Sequence, residues 1–132
     1  MKIVADTNIL LRYFVGDDPV QFRLARETMQ RAEIVVVTNQ ALCEMIWVLH
    51  SRYSVSRLLI EKTILQLRET NNIVLDAGAV EAGVAMLRSG ADFADGVIAY
   101  EGAWMGGETF VSFDKKAVGM LVKQGRKAEL LG

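Results

Sequence analysis

Short β-favouring runs that stop at a helix-capping residue recur along this chain. Ile3-Val4-Ala5 runs into Asp6, and Glu33-Ile34-Val35-Val36-Val37-Thr38 closes on Thr38. Ile73-Val74-Leu75 is followed by Asp76, and Thr109-Phe110-Val111-Ser112 stops two residues before Asp114. After each run the apolar residues switch to helical spacing. Strand, cap and helix in that order are the parts of an α/β fold, in which a helix carries the chain back so that the next strand runs parallel. The first run is wholly apolar and predicts a strand buried on both faces.

The remaining boundaries are equally chemical. Asp18-Pro19 predicts an N-cap with proline at the first helical position, opening a helix with Phe22, Ala25 and Met29 facing inward. Thr38 or Asn39 caps a helix carrying Leu42, Met45, Ile46 and Leu49, and Ser54 or Ser56 starts another through Leu58, Leu59, Ile64 and Leu67. Residues 39–69 therefore read as two helices with no strand between them. Asp76 caps a helix through Val80, Val84 and Leu87 that ends at Ser89-Gly90, and Asp92 opens one that closes at Gly106-Gly107. Asp114 caps a last helix carrying Val118, Leu121 and Val122, and residues 128–131 add an edge strand. The expected architecture is one three-layer α/β domain over residues 1–132, with a mostly parallel central sheet flanked by helices.

Composition narrows the chemistry. Fifteen basic and sixteen acidic residues give a net charge of −1, so any affinity for a polyanion must come from the distribution of charge and not from its sum. One cysteine, Cys43, and one histidine, His50, exclude an internal disulfide and a multi-cysteine or histidine-rich metal site. The N-terminus reaches a charge before any signal-like apolar region, and no stretch approaches the roughly 20 apolar residues a membrane span needs. A cytoplasmic location without membrane contact is expected.

The carboxylates remain. In a parallel α/β sheet, sites form beyond the carboxyl ends of the strands, where Asp6 and Asp114 both lie, although each also fits a simple helix cap. Glu44 is surrounded by Leu42, Cys43, Met45, Ile46, Trp47, Val48 and Leu49, which predicts a charge at a buried boundary or turned toward a polar cleft; an exposed glutamate beside Gln40 is the structural alternative. Asp92 and Asp95 are three apart: Asp92 fits an N-cap, and Asp95 heads an apolar segment that must pack against something. Carboxylates gathered in one place repel unless divalent ions neutralise them, and oxygen ligands without clustered histidine or cysteine suit Mg²⁺ or Mn²⁺. Phosphodiester cleavage is the natural chemistry of such a set.

Four segments carry a family pattern: Ile3-Val4-Ala5-Asp6-Thr7-Asn8, Glu44 in its apolar helix, Asp92-Phe93-Ala94-Asp95-Gly96-Val97-Ile98-Ala99, and Ser112-Phe113-Asp114. In this order and spacing the chain resembles the PIN-domain ribonucleases, specifically the VapC-type toxins. The resemblance implies an acidic catalytic site of Asp6, Glu44, Asp95 and Asp114, with Asp6 and Asp95 as ligands of Mg²⁺ (Mn²⁺ as substitute). Thr7, Asn8 and Ser112 would orient them, and Asp92 would act as a cap or outer support. It also implies an RNA substrate, hydrolysis to 5′-phosphate and 3′-hydroxyl ends, a cognate VapB-type antitoxin and a homodimer. Gly96-Val97 stands where the family often has alanine and leucine, which predicts a slightly looser helix start.

Arg12, Lys115 and Lys116 flank the acidic segments and are read either as phosphate contacts or as solvated surface charges. Trp47, Trp104 and the methionines are more often core than interface at helical spacing. Two other readings compete. Asp6, Asp76 and Lys115 allow phosphoacceptor chemistry of the receiver type, which the paired helices at 39–69 oppose. A non-catalytic PIN-like module that binds RNA or protein is the second.

Overall fold

Side-chain caps punctuate the chain where the sequence places them. Asp6 accepts the Ile9 N–H at 2.9 Å, Asp18 that of Gln21 at 3.0 Å, Thr38 that of Ala41 at 3.2 Å and Ser56 that of Leu59 at 3.2 Å. In a computed structural model describing residues 1–132, these caps open four of seven helices. The chain divides into two compact units, Met1–Asp76 and Ala77–Gly132.

The first unit runs β1 (Lys2–Val4), α1 (Thr7–Phe14), α2 (Pro19–Arg31), β2 (Ile34–Val36), α3 (Asn39–Ser51), α4 (Arg57–Glu69) and β3 (Ile73–Val74). Its three strands form a parallel sheet in the order β1-β2-β3, with Lys2 opposite Ile34 and Val35 opposite Ile73. Leu10, Val35, Leu42, Met45, Ile60, Ile64 and Leu67 are its most deeply buried side chains. The two successive helices of residues 39–69 are present as α3 and α4, which breaks the strand-helix alternation of a receiver.

Burial in this unit departs from the expectation at four places. β1 is an outer strand of its sheet, with a neighbour on one side only, and Val4 is 69% exposed instead of buried on both faces. In α4 the inward stripe is Ile60, Ile64 and Leu67, spaced four and three residues apart, so Leu58 and Leu59 fall off it and are exposed. In α3, Leu42, Met45, Ile46 and Leu49 are buried as expected, while Gln40, Glu44, Trp47 and Ser51 line the opposite, exposed face. Glu44 is therefore not at a buried boundary, and Trp47 is not core.

The second unit runs α5 (Ala77–Arg88), α6 (Phe93–Trp104), β4 (Phe110–Ser112), α7 (Lys115–Lys123) and β5 (Ala128–Leu130). β4 and β5 pair in parallel, Phe110 opposite Ala128. Met86, Ala91, Ala99, Ala117 and Leu121 form its core, with Phe110, Met120 and Ala128 packed against them. Trp104, expected in a core, is 78% exposed at the end of α6. Gly90 has a φ of +84°, the left-handed conformation that lets the chain leave α5 and re-enter α6 within a few residues.

α5 and α6 approach closely because glycines face them. A Cβ at Gly83 would lie 2.7 Å from Cζ of Phe93, and one at Gly96 only 2.8 Å from the carbonyl carbon of Ala82 and from Cγ of Met86. Gly96 is thus a packing residue and not a loose helix start. All three strand pairings are parallel and interleave with helices, so the fold is α/β. No helix is long and apolar enough to cross a membrane.

Candidate active site

In the first unit the candidate residues gather at the end of β1. Asp6 sits at the N-cap of α1 with backbone φ −80° and ψ 174°, and its Oδ1 takes the Ile9 N–H. Thr7, the next residue, donates its hydroxyl to Oε2 of Glu44 at 2.9 Å, and Gln40 donates to Oε1 at 3.4 Å. Asp6, Thr7, Thr38, Gln40 and Glu44 line one cleft of about 300 Å³. Glu44 is exposed yet held, because a hydrogen bond from each side fixes both of its oxygens. Gln40 and Glu44 are four apart on one helix, a spacing that marks them as partners from sequence alone. Thr38 enters because β2 ends beside β1, where Ala5 donates its N–H to the Val36 carbonyl at 3.1 Å.

Asn8 is exposed beside Asp6 and lines a second cleft with Arg12 and Gln21. Arg12 is committed within the unit: its guanidinium pairs with Asp17 at 2.5 Å and donates to Gln21 at 2.9 Å. The Tyr53 hydroxyl donates to the other Asp17 oxygen at 2.9 Å, and together with Arg12 it holds the Asp17 carboxyl below its ordinary value.

In the second unit Asp92, Asp95 and Asp114 come together: one carboxylate oxygen from each lies within 4.8 Å of the other two. Ser112 Oγ accepts the Asp114 N–H at 2.9 Å, which fixes the turn out of β4. Asp114 Oδ1 in turn accepts the N–H groups of Lys116 at 3.0 Å and Ala117 at 3.1 Å. Asp92 occupies the N-cap position of α6 but makes no side-chain capping bond, so of its two expected roles, cap or outer support, the side-chain cap is absent. Its carboxylate lies with Asp95 and Asp114, while its backbone carbonyl accepts the Asp95 N–H at 3.1 Å. Burial raises the Asp95 carboxyl above its ordinary value, and the charges of Asp92 and Asp114 push it further the same way.

That donor set fits a hard divalent cation. Three carboxylates with no histidine or cysteine among them match Mg²⁺ or Mn²⁺, and a cation there would offset the repulsion that raises Asp95. Exposed Asp92 and Asp114 leave room for the ion to keep waters.

Two of these aspartates are both helix caps and candidate ligands, and substitution separates the roles. Asparagine caps a helix about as well as aspartate, whereas alanine costs about 0.5–2 kcal/mol. Asp6→Asn and Asp114→Asn are therefore expected to melt near wild type while losing metal-dependent activity, and the alanine variants to lose both. Thermal melts beside an activity assay check this; activity retained in the asparagine variants would reduce both residues to caps.

None of the curated proteins compared with the chain matches it. The family model described as the PIN domain matches residues 3–118, a span that runs through both units. PIN domains are generally nucleases, bind RNA and commonly use divalent metals. On that match, which covers most of its length, the chain belongs to the PIN-domain family.

Proposed function

We propose that the chain is one PIN domain acting as a Mg²⁺-dependent endoribonuclease, the toxin of a toxin–antitoxin pair. The observation that carries the reading is the trio Asp92, Asp95 and Asp114, whose oxygens lie within 4.8 Å of one another while Asp95 is held above its ordinary pKa. Such a set is costly without a cation and useful with one. We assign Asp6, Glu44, Asp95 and Asp114 to catalysis, Asp6 and Asp95 to the metal, and Thr7, Asn8, Ser112 and Asp92 to their support.

When bound, the ion supplies Lewis acidity toward the phosphate and a more acidic water. The chain's part is to hold charge in fixed positions. Backbone N–H groups bind Asp6 Oδ1 and Asp114 Oδ1 at helix N-termini, where the dipole favours the anion. Thr7 and Gln40 fix both oxygens of Glu44, which orients it toward the cleft it shares with Asp6. In the hydrolysis, the water oxygen bonds to phosphorus, the bond to the 3′ oxygen breaks, and that oxygen leaves protonated. The products carry a 5′-phosphate and a 3′-hydroxyl, and no 2′-hydroxyl takes part.

The resemblance to VapC-type toxins supports a VapB-type antitoxin that binds over the groove, and a toxin homodimer. Sequencing product ends tests the chemistry: 5′-phosphate and 3′-hydroxyl ends are expected with Mg²⁺ or Mn²⁺, and 2′,3′-cyclic phosphate ends would refute it. For the biological role, induced expression in a bacterial host is expected to arrest growth and the Asp95→Asn variant to leave it unaffected. Growth arrest by both proteins would separate toxicity from this site.

A further inference from the structure

Phe113 lies between β4 and α7 with 80% of its surface exposed, immediately before Asp114. A lone exposed apolar residue is ordinary on a protein surface. What distinguishes Phe113 is its company. The hydrogen bond from the Asp114 N–H to Ser112 Oγ spans it and fixes the turn on which the ring stands. One residue on, Asp114 places its carboxylate within 4.8 Å of Asp92 and Asp95. Lys115 and Lys116 follow, both exposed and neither in an ion pair. The Lys116 ammonium lies over Gly90, 3.3 Å from where a Cβ there would stand, beside the turn that leads into Asp92.

Exposed ring, acidic side chain and two lysines thus follow one another along residues 113–116 of one unit, and the edge of the ring lies 3.9 Å from where a Cβ at Gly132 would stand. The acidic trio alone repels a polyanion, so a nucleic acid brought to it needs cations nearby and a contact that does not depend on charge. Two lysines supply the first. An exposed ring supplies the second, since every nucleobase presents a π face and stacks on an aromatic side chain whatever its sequence. A base inside a duplex has no free face, so the platform serves unpaired RNA.

We propose that Phe113 is a base-stacking platform that holds an unpaired nucleobase of a single-stranded RNA beside the acidic trio, with Lys115 and Lys116 on the adjacent phosphates. The assignment rests on the nuclease reading and makes Phe113 a determinant of strand preference, not a catalytic residue. Sequence dependence from this contact is weak, because stacking tolerates any base.

The test uses a single-stranded oligoribonucleotide containing 2-aminopurine and its matched duplex. Asp95→Asn protein keeps the RNA intact, and Phe113→Ala and Phe113→Trp are added to it. Fluorescence anisotropy gives affinity and the 2-aminopurine signal gives stacking. Phe113→Ala is expected to weaken single-strand binding about tenfold and remove the 2-aminopurine change, Phe113→Trp to restore both, and duplex binding to be indifferent to either. Unchanged circular dichroism confirms that an exposed residue was removed without unfolding. Equal single-strand affinity and an equal 2-aminopurine signal in Phe113→Ala would overturn the platform. In the otherwise wild-type protein, cleavage at an unchanged kcat/KM in Phe113→Ala overturns stacking alone, whereas wild type that neither cuts nor binds RNA overturns the nuclease reading with it.

Discussion

Asp95→Asn is expected to lower metal-dependent RNA cleavage by about a hundredfold or more while making the metal-free protein more stable at neutral pH. The two effects share a cause. Burial first, then the charges of Asp92 and Asp114, disfavour ionised Asp95 and raise its pKa above the ordinary 3.8. A carboxyl whose folded-state pKa exceeds its unfolded value contributes stability that is fully present below the unfolded pKa and lost as pH rises through the folded one. As pH rises through that raised pKa, wild type takes on a half-buried carboxylate charge beside Asp92 and Asp114, and asparagine takes on none. Melting curves without metal should show the variant above wild type at pH 7, with the gap closing toward pH 4. Added Mg²⁺ or Mn²⁺ should raise the wild-type Tm and leave the variant almost unmoved. A variant less stable than wild type at pH 7 would show that Asp95 is a structural residue.

Gly96→Ala carries the largest expected loss of stability, about 1–3 kcal/mol, against the direction of helix propensity. Alanine in a helix interior is favoured over glycine by roughly 0.5–1 kcal/mol. Here the added Cβ would lie 2.8 Å from the Ala82 carbonyl carbon, which is backbone on a packed helix and cannot rotate away. Gly102, in the same helix, has nothing within 4 Å of the equivalent position, so Gly102→Ala should be neutral or stabilising by up to about 1 kcal/mol. Urea unfolding of both variants checks the pair. Two shifts of the same sign would mean that propensity, not the α5–α6 approach, governs these positions.

What the sequence reveals most fully here is local chemistry. Asp6, Asp18, Thr38, Ser56 and Asp114 announce helix starts because a capping side chain bonds to N–H groups only two or three residues on. The parallel α/β class follows from strands that each run into such a start. Burial was less readable because it is set by distant elements. Val4 looks like core and is 69% exposed, since the cover over a strand's faces comes from elements far away in sequence and not from its own letters. Glu44 looks buried from its neighbours in sequence, yet the four-three spacing of Gln40, Glu44 and Trp47 marks an outer face that the surrounding apolar letters conceal. Asp92 looks like a cap, and nothing local shows that its carboxylate lies with Asp95 and Asp114, from a turn 22 residues further on. Gly96 reads as a weak helix former because the residue it must admit, Ala82, belongs to another helix.

The family match and the donor set leave one question ahead of the others: whether these carboxylates cut RNA through a divalent ion. Purified wild type, Asp6→Asn and Asp95→Asn, incubated with total cellular RNA in Mg²⁺, in Mn²⁺ and in EDTA, answer it directly. Cleavage by wild type in either metal, none in EDTA, and loss in both variants is the expected result. Equal cleavage by the variants, or a folded wild type that neither cuts the RNA nor binds Mn²⁺, would contradict it.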